Sequence, residues 1–357
     1  MHLKKLLVIG GTGLVGSKVV GLARSHGYEA DSTQNARASP LTNAYKLDIT
    51  NRKATLRLIR EIGPDAIVNT AALHNVDYCE THKEEAIRVN VGGARNLTDV
   101  ASKTGARLVH LSTDYVFDGE RGDYTESDPP NPLHHYARTK LESEKIVSES
   151  ADFAIARPSV IYGWNKLEFT GTPSSSGKTI NFAMYVLERL SKGETIRAVR
   201  DQYSSPTFAD NLAEAILLLA KYPGSGLFHT AGRSCASRYE FALKIAKVFG
   251  YPADLIQPVI AAEFKQLAMR PKNSCLAVEG TENALGMRFL TMEEGIREMK
   301  NQTIANLASQ QSSPTCGVSC SNRMASSRWR LLSRGHSMAC VLRPGSSHHR
   351  VGLRNIP

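Results

Sequence analysis

A glycine-rich segment near the start of the chain is the feature that most constrains the fold. Gly10-Gly11-Thr12-Gly13-Leu14-Val15-Gly16 connects a strand candidate, residues 3–9, to a helical pattern, residues 14–26. Glycines at this spacing permit a tight turn and let backbone N–H groups approach a pyrophosphate at the helix N-terminus. An isolated G-x-G-x-x-G is also compatible with an ordinary glycine turn, but the strand–turn–helix context favours dinucleotide binding.

The first 150 residues alternate short apolar runs with longer amphipathic segments, as parallel βαβ units do. This predicts an α/β fold with a doubly wound parallel sheet, a Rossmann domain, over residues 1–162. We expect residues 163–302 to form mainly a smaller, substrate-binding part, from which some segments return to the first domain. The predicted strands are 3–9, 28–33, 66–70, 107–112 and 153–157, and the predicted helices include 14–26, 90–104, 181–191, 210–221 and 238–249.

The basic charge of the chain is concentrated in its last 55 residues. The net charge is +10, but residues 303–357 hold seven arginines, eleven serines and no acid, so residues 1–302 carry only +3. We therefore expect no nucleic-acid surface on the core. The tail is predicted to be a solvated appendage outside the fold. An arm attracted to RNA or membranes, and a shifted reading frame, remain alternatives.

The cysteine pattern and the start of the chain both favour a cytoplasmic protein. Residues 6–9 are too short a run for a signal peptide, and no run approaches the length of a membrane span. Six cysteines at irregular positions predict reduced thiols. We expect no metal in the site, although Cys316, Cys320, His336 and Cys340 form an array that zinc could use.

The end of the second predicted strand bears on the choice of cofactor. NAD-binding domains usually place an acid there, about twenty residues after the glycine turn. Asp31 comes too early, and Thr33-Gln34-Asn35-Ala36-Arg37 offers a cation suited to a 2′-phosphate. NADP is therefore favoured, with NAD possible, unless Arg37 is only a solvated loop cation.

A tyrosine and a lysine four residues apart form a second constellation. On a helix, this spacing places Tyr136 and Lys140 on the same face. A nearby ammonium stabilises phenolate, and the hydroxyl of Thr113 follows a predicted strand where it can reach a carbonyl. Taken alone, Y-x-x-x-K is common on helix surfaces. Together with Thr113, it predicts a proton-transfer site.

Further motifs over residues 4–300 resemble the extended short-chain dehydrogenase/reductase family, and within it the dTDP-4-dehydrorhamnose reductases. Their order along the chain is more specific than any one of them. They are Asn69-Thr70-Ala71-Ala72, Val76-Asp77-x-x-Glu80, Val89-Asn90, Ser112-Thr113-Asp114-Tyr115-Val116-Phe117-Asp118-Gly119, Tyr124-x-Glu126, Arg157-Pro158-Ser159-Val160-Ile161-Tyr162-Gly163, Ser205-Pro206-Thr207 and Arg270-Pro271-Lys272-Asn273-Ser274.

The resemblance implies a role for each matching residue. Tyr136 would donate the proton, Lys140 would bind the nicotinamide ribose and tune the tyrosine, and Thr113 would polarise the carbonyl. Ala137, Ser143 and His74 depart from the family pattern, and none of them removes a catalytic group. The cofactor-binding set that we predict is Gly10, Thr12, Gly13, Leu14, Gly16, Arg37, Asp48, Ile49, Ala71, Ala72, Tyr136 and Lys140.

The function implied by this resemblance is reduction of a nucleotide-linked 4-keto-sugar with NADPH. The simplest substrate is dTDP-4-dehydro-L-rhamnose, which would give dTDP-L-rhamnose, and a homodimer is a possible assembly. Two alternatives stay open. One is a non-catalytic, NADP-binding regulatory subunit similar to the β subunit of methionine adenosyltransferase, and the other is a sugar-nucleotide epimerase.

Overall fold

A seven-stranded parallel sheet forms the centre of the protein, with strand order β11-β6-β5-β4-β1-β2-β3. The computed structural model describes residues 4–35, 43–165, 180–264 and 266–311. All five predicted strands form, so the predicted doubly wound sheet is confirmed. The seven strands are β1 (Lys4–Ile9), β2 (Tyr28–Gln34), β3 (Ala44–Lys46), β4 (Ala66–Asn69), β5 (Arg107–Leu111), β6 (Phe153–Arg157) and β11 (Gly226–His229).

The apolar run in β1 divides its side chains between two cores. Leu6 and Val8 belong to the core under α1 and α8, whereas Leu7 and Ile9 belong to the core under α2 and α5. Alternate residues of a strand point to opposite faces, so a strand covered by helices on both sides must be apolar throughout. The helices are α1 (Leu14–Ala23), α2 (Arg52–Ile62), α3 (Val76–Thr81), α4 (Lys83–Ala86), α5 (Gly93–Thr104), α6 (His135–Val147), α7 (Phe182–Ser191), α8 (Ala209–Leu219), α9 (Arg238–Phe249), α10 (Glu279–Leu285) and α11 (Met292–Gln311).

Helices α7, α9 and α11 enclose a further core with three short strand pairs beside it. The chain leaves this region to form α8 and β11, and β11 pairs in parallel with β6 of the main sheet. Helix α11 runs to Gln311 and so crosses residue 303, where we placed the start of the tail. The short strands are β7 (Ile161–Tyr162), β8 (Ile196–Val199), β9 (Tyr203–Ser204), β10 (Thr207–Phe208), β12 (Ala236–Ser237) and β13 (Ile256–Val259).

The expectation of reduced thiols is wrong for one pair of cysteines. Cys235 and Cys275 form a disulfide across a sequence separation of 40. Sequence spacing did not show that the residue before β12 and the segment before α10 come together. Cys79 is a buried free thiol, and the other cysteines, with the possible zinc array, lie outside the described residues.

No helix within the described ranges is both long and apolar enough to cross a membrane.

Candidate active site

The glycine turn joins β1 to α1 and leaves the first turn of that helix open. Gly10 has a φ of +83°, a left-handed conformation that glycine adopts readily. A Cβ on Gly16 would lie 2.3 Å from the Gly10 carbonyl oxygen, so only hydrogen fits there. Gly13 is the N-cap of α1 and has no side chain to accept from the first N–H groups. This cradle therefore fits the pyrophosphate of a dinucleotide.

One cavity of about 1120 Å³ extends from this turn to residues near α7 and α9. Every predicted site residue within the described ranges lines this cavity. Arg37 falls in the interval 36–42, outside those ranges. His74, which departs from the family pattern, also lines the cavity. The predicted site residues that line the cavity are Gly10, Thr12, Gly13, Leu14, Gly16, Asp48, Ile49, Ala71, Ala72, Thr113, Tyr136 and Lys140.

Asp48 occupies an exposed turn between β3 and α2. Its Oδ1 accepts a hydrogen bond from the Thr50 N–H at 2.9 Å. Asp48 therefore stabilises this turn, and it also lines the cavity. Its role in cofactor binding stays a prediction.

Helix α6 carries both Tyr136 and Lys140 into the cavity wall. His134 is the N-cap of this helix, and its Nδ1 accepts from the Ala137 N–H at 3.2 Å. Burial raises the pKa of Tyr136 well above its ordinary value, and the charge of Asp114 adds to this effect. A hydrogen bond with Thr113 acts in the opposite direction. The structure thus differs from the lowered phenol pKa that a neighbouring ammonium would give, because burial dominates.

Thr113 is fixed by the carboxylate that follows it in the sequence. Its hydroxyl donates to Asp114 Oδ1 at 3.1 Å. The hydroxyls of Ser159 and Ser274 donate to Asp114 Oδ2 at 2.8 and 2.6 Å. Asp114 is fully buried, and burial raises the pKa of its carboxyl against these three hydrogen bonds. The segments that contain Thr113, Ser159 and Ser274 therefore meet at the Asp114 carboxylate.

Two arginines line the cavity opposite the glycine turn. Arg270 donates to the Ala268 carbonyl oxygen at 2.9 Å and pairs with Asp77 at 3.1 Å. Arg238 stacks over the Phe182 ring, and its Nη1 is buried without a hydrogen-bond partner among the described residues. Arg270 lies in one of the motifs that carry the family resemblance but was not among the predicted site residues. Arg238 lies at the start of a helix and carried no recognisable signal.

The comparisons with known proteins agree with this geometry. The RmlD substrate binding domain family matches residues 4–304. The chain belongs to this family. The matched range thus includes the glycine turn, the helix with Tyr136 and Lys140, and the two arginines that line the cavity. Membership confirms the predicted resemblance and the predicted class, an NAD(P)-dependent oxidoreductase.

Three relatives show how broad the similarity is. A probable low-salt glycan biosynthesis reductase of Haloferax volcanii is 33% identical over 296 residues, which cover 82% of this chain and 96% of the relative. The β subunit of methionine adenosyltransferase 2 from Rattus norvegicus is 32% identical over 282 residues, covering 76% of this chain and 80% of the subunit. The dTDP-4-dehydrorhamnose reductase of Bacillus anthracis, crystallised with NADP, superposes with a TM-score of 0.73 at 28% identity. That match covers 84% of this chain and 99% of the reductase.

Proposed function

We propose that this protein is an NADP(H)-preferring reductase of a nucleotide-linked 4-keto-sugar, with dTDP-4-dehydro-L-rhamnose as the simplest substrate and dTDP-L-rhamnose as the product. The observation that carries the proposal is the single cavity that unites the glycine turn, Tyr136 with Thr113, and the two arginines. Each region fits one part of such a reaction: a dinucleotide, a carbonyl and a diphosphate.

The cofactor end of the cavity supports a dinucleotide by its backbone. Gly10, Gly13 and Gly16 would hold the pyrophosphate, and Ala71 and Ala72 would line the wall. A bound reduced nicotinamide would supply the hydride for the carbonyl carbon. The absence of a carboxylate in residues 32–35, at the end of β2, supports NADP over NAD.

The chemistry at the carbonyl oxygen would fall to Tyr136 and Thr113. The Tyr136 phenol is protonated at neutral pH, as a proton donor must be, and burial raises its pKa further above the ordinary value. Thr113 must turn its hydroxyl from Asp114 toward the carbonyl oxygen. During that rotation Ser159 and Ser274 would still donate to Asp114 Oδ2, whereas Oδ1 would lose its hydrogen bond from Thr113. Once Thr113 has turned, its hydroxyl and the Tyr136 phenol would both stabilise negative charge as it develops on the oxygen.

The substrate end of the cavity supports an anionic sugar nucleotide. Guanidinium groups form paired hydrogen bonds with phosphate oxygens, and Arg238 has a buried nitrogen that lacks a described partner. Arg270 lies on the same wall with its side chain only 11% exposed. Both arginines would therefore face the diphosphate of the substrate.

A regulatory, NADP-binding subunit remains the second candidate, because the methionine adenosyltransferase β subunit is about as similar to this chain as the reductases are. Thr113, Tyr136 and Lys140 all line one cavity, which favours catalysis. An epimerase would use the same fold, so turnover has to decide between these functions.

The test is to incubate the purified chain with NADPH or NADH and a panel of nucleotide 4-keto-sugars while following the absorbance of the reduced cofactor. We expect consumption of NADPH with at least one dTDP-linked 4-keto-sugar, and a lower rate with NADH. Tight NADP binding without consumption on any substrate would favour the regulatory function. Interconversion of sugar epimers without net cofactor consumption would favour the epimerase.

A further inference from the structure

A line of buried polar side chains runs from β4 to Lys140 behind the cavity wall. Asn69 Nδ2 lies 3.0 Å from His110 Nδ1. His110 Nε2 lies 3.0 Å from both Ser143 Oγ and Lys140 Nζ. Each of these four residues is at most 2% exposed. None of them except Lys140 was a predicted site residue, because His110 resembles an ordinary member of a buried strand.

The backbone fixes the direction of these hydrogen bonds. The Ala71 N–H donates to Asn69 Oδ1 at 3.1 Å, so the amide nitrogen of Asn69 faces His110 and donates to Nδ1. Burial keeps the imidazole neutral by lowering the pKa of His110 well below its ordinary value. The single ring proton is therefore on Nε2. The Ser143 hydroxyl donates to the Lys140 carbonyl oxygen at 2.7 Å, which leaves its oxygen to accept from that Nε2–H.

Lys140 thus meets a ring nitrogen that bears a hydrogen. If Lys140 is charged, its N–H groups face the Nε2–H of His110, which is unfavourable. If Lys140 is neutral, the lone pair of its amine can face that N–H instead. Burial lowers the pKa of Lys140 to about 8, and the charge of Glu144 acts in the opposite direction. Glu144 is already engaged by both nitrogens of the Arg157 guanidinium, at 2.8 and 2.6 Å. Tyr136, on the same helix, stays neutral because of its raised pKa.

We propose that His110, held by Asn69 in the Nε2–H tautomer, is a positioning residue that acts on Lys140 at the cavity wall by disfavouring its charged form. The effect of His110 on NADP affinity rests on the proposed function, in which Lys140 binds the dinucleotide. The tautomer of His110 and its contact with Lys140 do not depend on that function. His110 touches neither the cofactor nor the substrate in this proposal and acts only through Lys140.

Three substitutions separate positioning from simple packing. His110→Asn keeps an acceptor near Nδ1 for Asn69 and removes the donor beside Lys140. His110→Gln keeps a donor near Nε2 and is the conservative rescue. Asn69→Asp still accepts from Ala71 but presents a second acceptor to Nδ1, which moves the ring proton to Nδ1 and turns Nε2 into an acceptor for the Lys140 ammonium. Ser143→Ala is the matched control, because it removes a partner of His110 and leaves the Lys140 contact.

The first measurement is long-range ¹H–¹⁵N NMR of the histidine rings in the chain without added nucleotide. The signal that disappears in His110→Gln identifies His110. We expect the Nε2–H pattern in the parent and in Ser143→Ala, and an Nδ1–H pattern in Asn69→Asp. An Nδ1–H pattern in the parent would overturn the proposal without any assay of activity.

The second measurement is the pH dependence of NADP affinity between pH 7 and 10, followed by fluorescence quenching. We expect affinity to fall as Lys140 loses its proton, with a midpoint near pH 8 in the parent, His110→Gln and Ser143→Ala. The midpoint should move up by roughly one unit in His110→Asn and Asn69→Asp. A common midpoint in all five proteins would overturn the tuning by His110. If His110→Asn does not fold, Asn69→Asp still decides the tautomer by NMR, and a chain that reduces no sugar gives the same two readouts.

Discussion

The imidazole of His134 caps the helix that carries Tyr136 by accepting a hydrogen bond from the Ala137 N–H at 3.2 Å. A histidine can cap in this way only while Nδ1 has no proton. Burial lowers the pKa of His134 to about 4, and the charge of Arg270 contributes in the same direction. The cap of α6 is therefore intact at neutral pH and is lost in acid.

We predict that His134→Asn makes the protein less sensitive to acid. Between about pH 6.5 and 4 the unfolded chain binds a proton at His134 while the folded chain does not, so stability falls as pH falls through this window. The loss reaches up to about 3 kcal/mol at pH 4. Asparagine is a good N-cap and does not titrate, so it keeps the hydrogen bond. Urea unfolding at several pH values measures this difference.

The variant and the parent share every other titrating group, so the difference between their pH profiles isolates His134. Parallel profiles from pH 7 to pH 4 would show that His134 contributes nothing to acid sensitivity. His26→Asn is the control, because His26 is not a helix N-cap and its ring is not buried.

A second prediction concerns the glycine turn. Gly16→Ala should lower NADP affinity by roughly tenfold or more, because its Cβ meets the Gly10 carbonyl oxygen and Thr70 Oγ1, which lie 2.3 and 2.9 Å away. The turn must shift to relieve these contacts, and the amides at the start of α1 shift with it. Isothermal titration with NADP measures the affinity.

The same helix provides the matched control. Gly21 lies in α1, and a Cβ there would meet nothing within 4 Å. Gly21→Ala should leave NADP affinity unchanged and stabilise the chain by about 0.5 to 1 kcal/mol, because alanine favours helix more than glycine does. Equal NADP affinities for the two alanine variants would contradict the assignment of the turn.

The main sheet could be predicted because its strands carry their signal locally. Leu6–Ile9 must be apolar to be buried on both faces, and such a run is visible in the sequence. Gly226–His229, in contrast, is short and pairs with β6, 72 residues earlier in the chain. Nothing local distinguishes it from a loop, so it was not predicted.

In the site too, the residues that could be predicted lie close together in the sequence, and those that were missed meet only through the fold. The glycine turn and the Tyr136–Lys140 pair each lie within a few residues, so spacing was enough to find them. Asp114 meets Ser274 from 160 residues away, and His110 meets Lys140 from a different element. These contacts depend on how strands and helices pack together, which spacing along one sequence does not reveal.

A third prediction follows from the disulfide. Reducing Cys235–Cys275, or replacing Cys235 with serine, should destabilise the chain by up to about 4 kcal/mol, because the bond closes a loop of 40 residues in the unfolded state. Urea unfolding with and without dithiothreitol measures this effect. Cys79→Ala is the control and should keep the full response to dithiothreitol. If the parent is reduced, as shown by thiol labelling, yet unfolds at the same urea concentration, the bond contributes no stability.

The last prediction tests the proton donor. Tyr136→Phe removes one oxygen and keeps the ring, so NADP affinity and the melting temperature should change little. Turnover of the 4-keto-sugar should fall by roughly 10²- to 10⁴-fold, as for the loss of a positioned acid. Tyr185→Phe is the matched control, because Tyr185 also lines the cavity but lies on α7. Its turnover should stay near that of the parent. Because both variants lose one hydroxyl from the same cavity, equal turnover would assign Tyr136 to packing alone, and the proton would have to come from another group.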